Sequence, residues 1–246
     1  MQRKELVNYL NEFLEIDQYK DYAPNGLQVE GRDEIKTIVT GVTACNELIN
    51  EAIRLNADAV LVHHGFFWKS EPVEVVGYKK KRLKKLLLND VNLLGYHLPL
   101  DGHPELGNNA ELAKLWQLED ITPVDGLVRL GRLKTPIPID EFTEFVSTSL
   151  GRKALHLEGG PALVETIAWC SGGAQNYISQ AVRWEADVYI SGEVSEQTMH
   201  IAKECGIHYL AAGHHATERL GIKALGEHLS AKFNLHCQFV DIHNPV

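Results

Sequence analysis

The chain has 246 residues, 44% of them apolar and 23% charged, and a formal net charge of -9 when its histidines are neutral. That length can bury a sizeable core, and the acidic balance argues against a general nucleic-acid or anionic-membrane binder. The four cysteines are widely spaced and form no CxxC pair, which excludes a disulfide framework and predicts a cytoplasmic protein. No apolar run reaches the roughly 18 residues of a membrane span, and the charged N-terminus predicts a helix instead of a targeting peptide.

Two segments of the chain resemble each other and predict a duplicated unit. Residues 37–65 align with residues 166–194 without gaps at an offset of 129 residues. The positions that are identical in the two copies are, in first-copy numbering, Thr37, Ile38, Ile49, Ala52, Arg54, Ala57 and Asp58. The apolar residues between the two ends fall on the same helical face in both copies, which strengthens the match.

In chain order, each copy predicts a strand, a helix and a second strand. In the first copy the strands are Thr37–Gly41 and the apolar run Ala59–Val62. A continuous apolar strand is typical of a parallel sheet that is buried on both faces, and the intervening helix indicates a right-handed crossover. Further strands are expected at residues 91–94 and 207–210, followed by helices after residues 107 and 221.

We therefore predict an α/β fold made of two related α/β domains, with mostly parallel or mixed sheets flanked by helices. The predicted domains are residues 1–125 and 126–246, with a metal site in the cleft between them. The best break lies in residues 131–140, where Pro136 and Pro138 interrupt regular structure. In an alternative arrangement, the chain exchanges a terminal strand between the domains, for example around Gln238–Ile242.

His63 and His64 follow the strand Ala59–Val62 and precede Gly65. Ligands bind beyond the carboxyl ends of strands in open parallel sheets, so this position is suited to a site. Neighbouring strand residues point to opposite faces, and we expect both rings to converge only if the chain turns at Gly65. The alternative is a pair of strand-end histidines satisfied by hydrogen bonds.

The segment from His97 to Asp101 follows the next predicted strand. Pro99 predicts an extended conformation for Leu98. Asp101 can then enter a cleft as a carboxylate ligand. Its alternative role is that of a cap or turn residue before the helix expected near Asn108.

His214 and Glu218 follow the corresponding strand of the second copy. Thr217 is a plausible N-cap, which would place Glu218 at the start of a helix. If helical geometry extends back to His214, the two side chains share a helical face. A histidine–glutamate pair of this spacing also occurs as a purely structural contact. Glu193 and Glu196 are expected at a helix start, and Glu193 is alternatively a cleft acid.

Taken together, these strand ends predict a metal centre. His63, His64, Asp101, His214 and Glu218 are nitrogen and oxygen ligands on three separate strand ends, and carboxylates can bridge two ions ~3.5–4 Å apart. Imidazole with carboxylate suits iron, zinc, manganese or nickel, so two divalent metal ions per chain are expected.

Five segments of the chain are similar to the GTP cyclohydrolase I type 2 homolog family, which is also described as Ngg1p-interacting-factor-like. They are DYAPNGLQVEG (21–31), ADAVLVHHGFFW (57–68), GYHLPLDGHPELGNN (95–109), SGEVSEQ (191–197) and AAGHHATER (211–219). The resemblance covers nearly the whole chain. It implies a duplicated α/β fold, a two-metal site with the five ligands named above, and a ring-shaped homohexamer.

These features favour a metal-dependent hydrolase of a small nucleotide-like or phosphate-bearing substrate, with His97 as the catalytic proton shuttle beside the metals. Two alternatives come from other functional classes. One is a metal-handling protein without turnover. The other is a ring-shaped scaffold linked to stress or DNA repair, in which the basic run Lys79–Lys85 would line a pore.

Overall fold

The computed structural model describes residues 1–124 and 126–246. Its α-helices are α1 (Arg3–Phe13), α2 (Asn46–Arg54), α3 (Gly77–Leu88), α4 (Leu98–Gly102), α5 (Asn108–Leu115), α6 (Ile139–Leu150), α7 (Ile178–Arg183), α8 (Glu196–Cys205) and α9 (His214–Phe233). Among the described residues, no helix is both long enough and apolar enough to cross a membrane.

The strands divide between two sheets. They are β1 (Gly26–Val29), β2 (Thr37–Thr43), β3 (Ala59–His64), β4 (Asn92–Gly95), β5 (Glu119–Asp125), β6 (Val128–Pro138), β7 (Leu155–Leu157), β8 (Leu163–Cys170), β9 (Val188–Ser191), β10 (His208–Ala211) and β11 (His236–Phe239). The first sheet has the order β1-β4-β3-β2-β11 and the second the order β5-β6-β8-β9-β10-β7.

Both sheets are mixed, with a parallel centre. In the first sheet, β3 pairs in parallel with β2 and β4, while β1 is antiparallel to β4. In the second, β9 pairs in parallel with β8 and β10, while β6 and β7 are antiparallel to their neighbours. The central strands are buried, which explains their apolar runs. The predicted α/β fold with helix-flanked sheets is confirmed.

The register of the strands bears out the duplicated unit. Ile38 stands opposite Ala59 in the first sheet, and Ile167 stands opposite Val188 in the second. Ile167 follows Ile38 by 129 residues, and Val188 follows Ala59 by the same number, which is the offset between the two sequence segments. The pairing of the strands is therefore repeated, and not merely their order.

One identity between the copies, Asp58 with Asp187, has a direct structural explanation. The Oδ2 atom of Asp58 accepts hydrogen bonds from the backbone N–H groups of Lys36 and Thr37, each at 2.8 Å. Asp187 Oδ2 accepts the equivalent bonds from residues 165 and 166, at 2.9 and 2.8 Å. In each copy this carboxylate binds the backbone at the start of the neighbouring strand.

Packing groups the chain into two units that do not follow chain order. One unit contains Met1–Gly107 and Gly221–His243, and the other contains Asn108–Leu220 and Asn244–Val246. The C-terminal segment belongs to the first unit because β11 pairs in parallel with β2, Cys237 standing opposite Ile38. A terminal strand near Gln238 thus completes the first sheet. The helix expected to begin after Gly221 is instead the continuation of α9.

Candidate metal centre

In the first unit, β3 carries two neighbouring histidines at its carboxyl end. His63 is 1% exposed and His64 is half-buried, and their ring centroids lie 4.5 Å apart. His63 Nδ1 lies 3.0 Å from the carbonyl oxygen of Tyr96, and His64 Nδ1 lies 3.3 Å from the hydroxyl of Thr43. The strand continues through both residues, so the rings do not converge because of a turn. The hydrogen bonds at Nδ1 orient them instead.

Gly65 has a different role from the predicted turn. A Cβ atom at this position would overlap with Oε1 of Gln28. That oxygen accepts a hydrogen bond from the backbone N–H of Phe66 at 2.7 Å. Gly65 therefore allows the Gln28 side chain to reach the backbone directly after the two histidines.

Asp101 lies on α4, which begins directly after His97. The expected extended conformation at Leu98 is wrong, because Pro99 occupies the first helical turn, where its missing N–H needs no partner. Asp101 is 4% exposed, and its Oδ2 lies 3.5 Å from Nε2 of His63. The short helix thus presents the carboxylate to the histidine at the end of β3.

His97 is buried and held by two residues of the segment between α1 and β1. Its Nδ1 lies 2.9 Å from Oδ1 of Asp21, and its backbone N–H donates to Oδ1 of Asn25 at 2.8 Å. Burial favours a raised pKa for the Asp21 carboxyl, but hydrogen bonds from His97, Ala23 and Asn25 outweigh it and hold the pKa well below its usual range. Asp21 therefore remains a carboxylate and fixes the His97 ring.

Within this unit, His63, His64 and His97 form a group that can hold a metal ion. Each of them can offer one ring nitrogen such that these atoms lie within 4.8 Å of one another. His97 thus lies beside two of the predicted ligands.

In the second unit, α9 begins at His214, three residues earlier than the N-cap expected at Thr217. Thr217 lies inside the first turn. Its hydroxyl oxygen is 2.9 Å from the carbonyl oxygen of Gly213 and accepts a hydrogen bond from the backbone N–H of Gly172 at 3.0 Å. The threonine thus ties α9 to the segment after β8, and His214 and Glu218 share one helical face.

The His214 ring lies between two carboxylates. Its Nδ1 is 2.7 Å from Oε1 of Glu193, and its Nε2 is 3.1 Å from Oε2 of Glu218. Burial alone would lower the pKa of His214, but Glu218 and then Glu193 raise it to about 9. Without metal, the ring therefore carries a proton at neutral pH, and a metal ion at Nε2 would replace that proton.

The two acids of the SGEVSEQ segment separate in the structure. Glu193 is the partner of His214, whereas Glu196 begins α8 and is exposed. The helix-start interpretation thus fits Glu196, whereas Glu193 lies before the helix and contacts His214. Sequence reasoning did not single out Asp21, although the first of the five motifs begins with it. The presence of an acidic residue in that motif is the sequence signal that could have identified Asp21.

Gly172 lies against Glu218 and provides a prediction. Its φ is +65°, and a Cβ atom there would overlap with Oε1 of Glu218. Gly172→Ala should displace this carboxylate and weaken metal binding at least tenfold, as disturbance beside a metal ligand usually does. Metal titration monitored by calorimetry measures the change.

Gly151→Ala is the matched control. Gly151 has a φ of +64°, but its Cβ would meet nothing within 4 Å. Both variants carry the same backbone strain of about 1 kcal/mol. Equal metal affinity in the two variants would contradict a role for Gly172 in making room for Glu218.

Comparison with known proteins finds relatives that match this chain over its full length. The sequence pattern of the family Duf34/NIF3 (NGG1p interacting factor 3) matches residues 1–245. The chain is 54% identical over 246 residues to a Yersinia pestis protein named "GTP cyclohydrolase 1 type 2 homolog", covering 100% of both chains.

Two solved structures extend the comparison. The structure of the protein ybgI, described as of unknown function, has a TM-score of 0.98 and 52% identity, with 100% of each chain covered. A protein from Thermus thermophilus has a TM-score of 0.94 and 35% identity, again over 100% of each chain. With motifs, fold and full-length similarity in agreement, the chain belongs to the Duf34/NIF3 (NGG1p interacting factor 3) family.

Proposed function

We propose that this protein binds two divalent metal ions through His63, His64, Asp101, His214 and Glu218. We further propose that it uses them to hydrolyse a small nucleotide-like or phosphate-bearing substrate. Iron, zinc, manganese and nickel all suit this set of imidazole and carboxylate donors. The protein would carry out this reaction in the cytoplasm, as its dispersed cysteines predict.

The observation that carries the proposal is that the Nδ1 atom of each proposed histidine ligand lies beside a hydrogen-bonding group. Nδ1 of His63 lies beside a backbone carbonyl, that of His64 beside a hydroxyl and that of His214 beside a carboxylate. Histidines that bind metals through one ring nitrogen commonly engage the other in such a hydrogen bond, which fixes the tautomer and the ring orientation. The same arrangement at each predicted histidine supports a metal centre over three unrelated structural contacts.

The distances between nitrogen and carboxylate oxygen support the same proposal. His63 Nε2 and Asp101 Oδ2 are 3.5 Å apart, and His214 Nε2 and Glu218 Oε2 are 3.1 Å apart. Two ligand atoms that each lie about 2.1 Å from one ion are separated by roughly 3.0–3.4 Å in octahedral or tetrahedral coordination. Each pair is therefore close to the spacing of atoms that share an ion.

Bound divalent ions would supply a water of lowered pKa and positive charge for a developing oxyanion. The chain itself would do the rest. The carboxylates of Asp101 and Glu218 would balance the added charge. His97, with Nδ1 held by Asp21, would move a proton at its other ring nitrogen.

Elemental analysis of protein purified without a chelator or a histidine tag tests the proposal. We expect about two equivalents of divalent metal per chain, and the metal-loaded protein should hydrolyse para-nitrophenyl phosphate esters faster than the metal-free protein. Less than half an equivalent of metal would refute the two-ion site. Full loading without any hydrolysis would favour a metal-handling role.

The resemblance also leads us to propose a homohexamer. Light scattering should then give a mass close to six times that of the 27.5 kDa chain. A monomer at micromolar concentration would contradict this assembly.

A further inference from the structure

Two aromatic rings meet beside the histidines of the first unit. The Tyr22 ring lies 5.0 Å from that of His97 at an angle of 72°, and the Trp68 ring lies 5.0 Å from it at 82°. Tyr22 and Trp68 are themselves 5.7 Å apart at 34°, and Trp68 is 5.7 Å from His64. Tyr22 and Trp68 are hereafter called the aromatic pair.

The backbone around Phe67 fixes the position of the aromatic pair. Phe67 has a φ of 66°, in the left-handed region that non-glycine residues seldom adopt. This reversal lets Phe66 enter the core while Trp68 reaches the histidines. Backbone strain of this kind is concentrated at functional sites. The backbone N–H of Lys69 also donates to the carbonyl oxygen of Tyr22 at 3.0 Å, which holds the two segments together.

The exposure of Tyr22 is unusual for its position. It is 54% exposed, whereas Tyr96, in the strand-end segment before His97, is fully buried. His97 does not need the Tyr22 ring for its orientation, because Asp21 and Asn25 already bind its side chain and backbone. The aromatic pair therefore leaves exposed ring surface next to the histidines.

We propose that the aromatic pair is a substrate subsite that stacks a planar heteroaromatic ring beside His64 and His97. This inference rests on the hydrolase proposed above and deepens it by naming the chemical class of the substrate. Aromatic side chains bind such rings through their faces, largely independently of which substituents the ring carries. The phosphate-bearing part of the same substrate would then extend towards the histidines.

Calorimetric titration of the full-length protein with two probes tests the subsite. Adenosine monophosphate carries a heteroaromatic ring, and ribose 5-phosphate shares its sugar phosphate but lacks the ring. The unchanged protein should bind adenosine monophosphate more tightly, with or without metal. Trp68→Leu and Tyr22→Leu should each weaken this binding by about 5- to 100-fold and leave ribose 5-phosphate unaffected. Trp68→Phe, which keeps a ring, should retain most of the affinity.

Trp184→Leu is the matched control, because Trp184 is 46% exposed and lies in the second unit. It should not change the affinity for either probe. The metal content of every variant is measured in parallel. Equal binding of the two probes, or an unchanged affinity in Trp68→Leu, overturns the subsite without affecting the metal-content test of the proposed function. Loss of metal from Trp68→Leu or Tyr22→Leu also overturns it, because the rings would then only position the histidines.

Discussion

Asp101→Asn and Glu218→Gln are each expected to weaken divalent-metal binding more than about 100-fold, beyond the range typical of residues that only support a ligand. Both carboxylates are almost fully buried, and each lies within 3.5 Å of a histidine Nε2. The amide variants keep the volume of the side chain and remove its charge, so they leave no cavity. Metal titration by calorimetry gives the affinity.

The fold should survive both substitutions. The amide side chains fill the same space, so neither variant opens a cavity. We expect metal-free Asp101→Asn to unfold within about 4 °C of the metal-free unchanged protein, the shift that about 1 kcal/mol produces in a chain of this size. Glu218→Gln removes a partner of the protonated His214 ring, so its metal-free form should unfold at a lower temperature than metal-free Asp101→Asn. Thermal unfolding followed by circular dichroism measures it.

Two further variants serve as controls for this prediction. Glu193→Gln removes only the partner of His214 Nδ1, so its loss of metal affinity should be smaller, about 10- to 100-fold. Asp58→Ala removes a buried carboxylate that binds backbone N–H groups, so it should lower stability by roughly 1–3 kcal/mol and leave metal affinity unchanged. Unfolding of Asp101→Asn and Glu218→Gln with normal metal binding would show that these acids are structural.

The duplicated sheet core was predictable because its signal is local and repeated. Asp58 and Asp187 were identified as matching positions, and the structure gives both the same backbone contacts. The apolar runs of the central strands likewise indicated parallel pairing. Burial on both faces leaves few alternatives for such a run, so the pattern alone determines the element.

Element boundaries near the candidate site were harder to predict. Thr217 has the properties of an N-cap, but its hydroxyl accepts a hydrogen bond from Gly172, which is distant in sequence, while α9 begins at His214. The role of Asp21 depends on a contact with a residue 76 positions away. β11 joins the first sheet through pairing with β2 that no local pattern specifies. Contacts of this kind arise from tertiary packing and produce no periodic pattern in the sequence.

His97→Ala is expected to lower hydrolysis of para-nitrophenyl phosphate esters by the metal-loaded protein roughly 10²–10⁴-fold, the usual range for loss of a general acid–base. The five proposed ligands suffice for two ions that also hold water, and a sixth would occupy a position that catalysis needs. Most of the metal should therefore remain. Elemental analysis beside the rate of para-nitrophenol release measures both quantities.

The competing role for His97 is that of a metal ligand. His97 can offer a ring nitrogen within 4.8 Å of those of His63 and His64, which is also compatible with direct ligation. If His97→Ala loses its metal, the residue is a ligand. If metal and turnover both remain, it contributes only packing.

Asp21→Asn separates the proton-transfer role from these alternatives. Asp21 lies against Nδ1 of His97 and does not belong to the proposed ligand set. Its amide variant keeps the shape of the side chain but removes the carboxylate beside His97 Nδ1, so hydrolysis by the metal-loaded protein should slow while the metal content stays constant. The rate of para-nitrophenol release and elemental analysis measure the two quantities. An unchanged rate in Asp21→Asn would contradict proton transfer by His97, and loss of metal would indicate that His97 is a ligand.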